Sequence, residues 1–288
     1  MSKARILIQF DSDAQASVFD AVVAVDAGVE QLFQHSCVQI SQVRDLAYGA
    51  MFTRGPDDLR STAIFVGGSD VSAGEAILAQ LQRTFFGPMR VSVMLDSNGA
   101  NTTAAAAVLA AARHVELRDA AAIVLAATGP VGSRVVRLLA GEGARVKVAS
   151  RTRGRAEAVC QAVAAKTTGA RLSAIETASA AQTAAALEKA QIVIAAGPPG
   201  VELLSAPIRA GCKSLVVAID LSAVPPLGLG GVEVTDAGVE RDGMKCYGAV
   251  GVGATKMKIH KAAIRQLFER NDQVLDAEEI YEIGKRLA

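Results

Sequence analysis

Cysteine is scarce and scattered. Cys37, Cys160, Cys212 and Cys246 form no C-x-x-C pair, so neither a thiolate metal site nor a disulfide framework is expected. An excess of either charge is also missing: the net charge is +1. No global basic field therefore points to nucleic acid or to an anionic membrane surface. No apolar run approaches the ~18 residues of a membrane span. Met1 to Arg5 lead at once into Ile6–Phe10 and then Asp11, too short and too soon acidic for a secretory leader. These absences together fit a cytoplasmic protein. Lysine is nearly absent from the first hundred residues, where Lys3 stands alone.

What is present is apolar patterning. The 288 residues are 51% hydrophobic and 20% charged, enough for packed cores in about two domains. The most informative stretch runs from Ala121 to Arg155. Ala121–Ala127 has the length and β-branched content of a buried parallel strand. A tight turn follows, Thr128-Gly129-Pro130-Val131-Gly132. Val131, Val135, Leu138 and Leu139 then recur at helical spacing until Gly141 and Gly143, and Arg145–Ala149 reads as a second strand. Strand, glycine turn, helix and strand make the first half of a dinucleotide-binding unit.

The turn reads A-x-G-x-x-G, with Ala127 at the usual first glycine. Gly129 and Gly132 let main chain approach a pyrophosphate, and the first helical N–H groups suit its charge. An NAD site commonly ends its second strand in a carboxylate that accepts from the ribose 2′-hydroxyl. Here stand Ser150 and Arg151, with Arg153 and Arg155 close behind. A hydroxyl and a guanidinium would hold a 2′-phosphate, which a carboxylate would repel. The cofactor expected is NADP, with Ala196 and Gly197, after a later strand, also in its site.

Along the chain, Arg5–Phe10 reads as a strand and Ser17 as the N-cap of a helix that carries Asp20 in its first turn. A helix is expected near 29–35 and another near 41–48. A strand at 61–66 leads to a helix capped by Ser69 or Asp70. The polar loop Asp96–Thr103 follows a short strand, and binding residues gather at such carboxyl ends. Asp96, Asn98 and Asn101 are therefore substrate-binding candidates, although a capped helix start explains them equally. Gly248–Gly253 reads as a hinge loop, and a helix then starts at Thr255 with Lys256 and Lys258 on it. The expected fold is α/β and two-lobed. Residues 1–98 plus 256–288 form a smaller substrate domain completed by C-terminal helices, and 99–255 a Rossmann-type NADP domain. Asp20, the 96–101 loop, Gly197–Gly200 and Lys256 are expected to line one cleft.

Several strings are more specific than a generic nucleotide fold: Ser17-Val18-Phe19-Asp20, Phe85-Phe86-Gly87-Pro88, Met94-Leu95-Asp96-Ser97-Asn98-Gly99, Asn101-Thr102-Thr103, Thr128-Gly129-Pro130-Val131-Gly132 and Pro225-Pro226-Leu227-Gly228. On these the chain resembles the NADP-dependent methylene-tetrahydromethanopterin dehydrogenases of methylotrophic bacteria, which also use methylene-tetrahydrofolate. It departs from them at 29–60 and 150–190, with Ser150-Arg151 where Gly-Arg is expected. The resemblance implies a homo-oligomer acting on a tetrahydropterin one-carbon carrier. It implies hydride transfer, with Asp20 as a carboxylate near the developing cation. Lys256 would be an active-site lysine, and Lys258 would help to bind substrate. A shikimate-dehydrogenase-like oxidoreductase is an alternative, but it needs a Lys–Asp pair that the first lobe lacks. A non-catalytic NADPH-sensing module is another.

Overall fold

Short buried strands alternate with helices along nearly the whole chain, and connections of that kind produce parallel sheets covered on both faces. The computed structural model describes residues 3–287. The chain divides into two compact units, Met1–Thr102 with Met257–Leu287, and Thr103–Lys256.

The first unit opens with β1 (Ile6–Phe10), α1 (Val18–Asp26), β2 (Gln31–His35), α2 (Ile40–Met51), β3 (Thr62–Val66), α3 (Val71–Thr84) and β4 (Ser92–Leu95), and α4 (Ala100–Ala112) follows. The second contains β5 (Ala121–Leu125), α5 (Pro130–Gly141), β6 (Arg145–Ser150), α6 (Arg153–Ala164), β7 (Arg171–Glu176), α7 (Ala180–Ala186), β8 (Ile192–Ala195), α8 (Ala206–Gly211), β9 (Val217–Asp220), β10 (Ala237–Arg241) and β11 (Met244–Tyr247). Then come α9 (Ala249–Gln266), β12 (Val274–Leu275) and α10 (Ala277–Lys285).

In the first unit the sheet order is β12-β4-β3-β1-β2, all parallel. Strand order reverses between β1 and β3, the point where open α/β sheets place ligands. Phe10, Ile64, Val93, Leu95, Ile77 and Leu81 pack its core. The second unit is ordered β10-β11-β9-β8-β5-β6-β7, parallel except for β10. Apart from that antiparallel edge strand, this is the dinucleotide-binding order, with its reversal between β5 and β8. Ile123, Leu125, Val193, Leu204 and Leu229 lie in its core.

Two expectations are corrected. Residues 29–35 contain a strand, not a helix: Gly28 adopts φ +89° beyond α1, and β2 pairs with β1 over five residues. A five-residue segment gains more from edge pairing than from helix propensity. Gly248–Gly253 is not a hinge loop either, because α9 already starts at Ala249. A glycine costs about 1 kcal/mol in a helix interior relative to alanine, but close packing requires one at Gly251 inside α9 and another at Gly248 just before it. A Cβ on Gly248 would overlap the carbonyl oxygens of Glu233 and Val234, and one on Gly251 that of Asp236. Asp70 caps α3, accepting from the Ser72 and Ala73 N–H groups. The β10–β11 hairpin and β12 were not foreseen.

Candidate active site

In the second unit the reversal point is built by the loops after β5 and β8. Ala127, wholly buried, donates its N–H to Ala149 O at 2.9 Å. Gly129 is the N-cap of α5 and Pro130 its first residue, a place where proline loses no helical hydrogen bond. A Cβ on Gly132 would stand 2.8 Å from Ala127 Cα, so only glycine lets α5 seat this tightly on the strand end. Ala196 N donates to Leu125 O at 3.1 Å. A Cβ on Gly129 would lie 3.8 Å from Ala196 O. Thr128, Gly129, Pro130, Val131 and Gly132 therefore adjoin Ala196 and Gly197 at the carboxyl edge of the sheet. The helix N-terminus there suits a pyrophosphate.

Ser150 ends β6 and is buried; Thr152 N approaches its Oγ at 3.5 Å. Arg151 and Arg155 are exposed. Arg153 is committed, its Nε 2.9 Å from Glu157 Oε1. The local donor set, a hydroxyl beside two guanidinium groups not held in such a pair, fits an additional phosphate. Sequence reasoning missed one group here. Glu176, at the end of β7, is the register partner of Ser150. Its distance in sequence hid it, and only strand pairing brings it alongside.

In the first unit, Ser17 Oγ caps α1 by accepting from Asp20 N at 3.2 Å. The partly buried Asp20 side chain reaches over the end of β3: its Oδ2 lies 3.5 Å from where a Gly67 Cβ would stand. Asp11, not among the site residues expected from the sequence, is fully buried. It accepts from Asp13 N at 2.9 Å, from Ser17 N at 3.0 Å and from the Gln9 amide at 3.2 Å. One carboxylate thus shapes the loop that delivers α1 and Asp20.

The Asp96–Asn101 loop is above all a scaffold. Asp96 Oδ1 accepts from Asn101 N and Thr102 N at 2.9 and 3.0 Å, and its Oδ2 from the Thr102 hydroxyl at 2.6 Å. Asn101 is buried and donates to Leu95 O at 2.6 Å and Asp276 Oδ1 at 2.9 Å. These bonds hold the start of α4, which begins at Ala100, inside the stretch expected to remain a loop through Thr103. Asn98 differs: it is exposed, in a left-handed conformation with φ 54°.

On α9, Lys258 is exposed and Lys256 partly buried. One turn beyond Lys256 stands His260, a residue the sequence reading did not single out. It is fully buried, stacked on Phe65 with ring centroids 5.6 Å apart and 6.5 Å from Phe19. Its Nδ1 lies 3.9 Å from Asp96 Oδ2. The i, i+4 spacing of Lys256 and His260 was a signal that both share a helix face. Among the described residues no group of three His, Cys, Asp or Glu side chains could hold a metal ion. No helix among them is long and apolar enough to cross a membrane.

Comparison with known proteins agrees with this architecture. Residues 18–98 match the family model described as methylene-tetrahydromethanopterin dehydrogenase, N-terminal. The chain is 44% identical over 290 residues to a protein of Methylorubrum extorquens named bifunctional protein MdtA, covering 100% of both chains. It is 27% identical over 281 residues to the NAD(P)-dependent methylenetetrahydromethanopterin dehydrogenase of the same organism, covering 94% of this chain and 95% of that one. Among solved structures, ligand-free 5-ketofructose reductase of Gluconobacter sp. strain CHM43 superposes with a TM-score of 0.50 at 14% identity, over 99% of each chain, which supports the fold alone. With a relative this similar from end to end, and with the family model matched on the first unit, the chain belongs to the methylene-tetrahydromethanopterin dehydrogenase family.

Proposed function

We propose that the protein oxidises the methylene bridge of N5,N10-methylene-tetrahydromethanopterin, or of methylene-tetrahydrofolate, to the methenyl-pterin, with NADP as the hydride acceptor. It is an oxidoreductase of one-carbon metabolism. The observation that carries the cofactor assignment is the Thr128–Gly132 loop at the β5/β8 reversal, within a chain similar along its full length to a dehydrogenase-family relative. Bound there, NADP would supply the hydride-accepting carbon. The first turn of α5 would hold the pyrophosphate, and Ser150, Arg151 and Arg155 the 2′-phosphate.

The reaction removes a hydride and no proton from the reacting carbon, and leaves a cation spread over N–C–N. What the chain must provide is positioning and stabilisation of growing positive charge. We assign the second task to Asp20, whose loop is fixed by Asp11. Lys256 and the exposed Asn98 and Lys258 are assigned to orienting polar groups of the pterin. Asp96 and Asn101 support the substrate region through the bonds that hold α4. The 1–102 plus 257–287 unit is the substrate domain and 103–256 the NADP domain in this reading.

Absorbance at 340 nm tests it directly. Purified protein with methylene-tetrahydropterin and NADP should generate NADPH. Tight NADPH binding without turnover would instead mark a sensor. A cytoplasmic location and a homo-oligomeric state belong to the same reading; cell fractionation and light scattering on the purified protein check them.

A further inference from the structure

β6 and β7 run parallel in register from Arg145↔Arg171 to Ser150↔Glu176. Neighbouring strands are about 4.8 Å apart, so the Glu176 main chain stands one strand spacing from Ser150. The Glu176 carboxylate is held at both oxygens. Its Oε2 accepts from Arg153 N, the first residue of α6, and its Oε1 from Gln182 Nε2, each at 3.3 Å. Gln182 is itself fixed by the capping box at Ser179. Thr152, the N-cap of α6, makes no side-chain cap bond. A carboxylate from a different strand therefore covers the positive end of α6, beside the residues assigned to the 2′-phosphate.

We propose that Glu176 sets the balance between NADP and NAD. This rests on the NADP reading of the Ser150–Arg155 turn. Arg151 and Arg155 attract a 2′-phosphate, whereas Glu176, anchored on the adjoining strand, repels it and leaves a free 2′-hydroxyl unopposed. The carboxylate that dinucleotide sites commonly carry on the second strand is here supplied from the third. The site then favours NADP by less than its arginines alone would give.

The test is calorimetric binding of two cofactor fragments, adenosine 2′,5′-bisphosphate and 5′-AMP, to the wild-type protein and to Glu176→Gln. Glutamine keeps an acceptor for Arg153 N and removes the charge, and with it the bond from Gln182 Nε2, which would face the new amide NH2 group. Exposed charge pairs are weak, but the phosphate is doubly charged, so the bisphosphate should bind about two- to tenfold more tightly to the variant. Binding of 5′-AMP should stay within about twofold, and raising the salt should shrink the difference. A cap with no electrostatic role would give another pattern: Glu176→Ala would melt earlier, Glu176→Gln would restore stability, and the ratio of the two affinities would not move. That pattern, or equal changes for both fragments, overturns the proposal. A wild-type protein that does not distinguish the fragments overturns the NADP reading and this proposal with it. Discrimination in the wild type that Glu176→Gln leaves unchanged overturns the proposal alone.

Discussion

Gly251 of α9 packs its Cα against the main chain of Asp236, where any Cβ would overlap the Asp236 carbonyl oxygen. Asp236 in turn receives Arg241 through Nε at 2.7 Å and Nη2 at 2.8 Å, and accepts from Glu233 N at 2.8 Å. The first turn of α9 is thus seated on a pinned loop. Gly251→Val should push the helix off that loop and destabilise the fold by roughly 2–5 kcal/mol, the range of overpacking and backbone strain combined. Thermal unfolding by circular dichroism measures this. A variant that melts like wild type but turns over slowly would restore the hinge reading.

The same carboxylate gives a pH prediction. The Arg241 side-chain hydrogen bond holds Asp236 below the usual carboxylate range, against the opposing effect of burial. A carboxyl depressed in the folded state stabilises above its unfolded pKa, and that contribution disappears as pH falls through the folded value. Arg241→Met should therefore melt earlier than wild type at pH 7, with the gap closing below about pH 4. A gap of constant size across that range would mean the guanidinium acts through packing rather than charge.

NADP preference should be visible in single substitutions. A charge-assisted hydrogen bond is worth roughly 1.5–3 kcal/mol, about ten- to a hundredfold in affinity. Arg151→Ala should raise KM for NADP by about that factor and barely change KM for NAD. Ser150→Asp should go further, since it adds repulsion to the phosphate and an acceptor for a free hydroxyl. Equal weakening of both cofactors would remove the role given to this strand end.

Asp20→Asn should lower kcat more than it raises KM, because attraction to the pterin grows as positive charge develops. Asparagine leaves the main-chain bond from Asp20 N to Ser17 in place, so the helix start is preserved. Steady-state kinetics on either methylene-pterin checks this; an unchanged kcat would exclude Asp20 as the charge-stabilising group.

Local pattern determined much of this protein. Ala121–Leu125, Gly129, Pro130 and Gly132 announce a strand, a tight turn and a helix because burial, helix geometry and glycine's missing Cβ act over a few residues. Ser17 was readable as a cap for the same reason, and the cap of α3 as Ser69 or Asp70, of which the fold uses Asp70. Tertiary structure decided what depends on partners remote in sequence. Residues 31–35 became a strand because β1 offered an edge, and Gly251 and Gly253 fall inside a helix whose start is seated where main chain at 233–236 lies against Gly248 and Gly251. Asp96 became a scaffold through Asn101 and Thr102, and His260 was brought to Phe65 from nearly two hundred residues away. Glu176 stands beside Ser150 only through strand pairing. Hydrogen bonds, ring stacking and charge act over a few ångströms of space, and separation along the chain does not reveal which groups come that close.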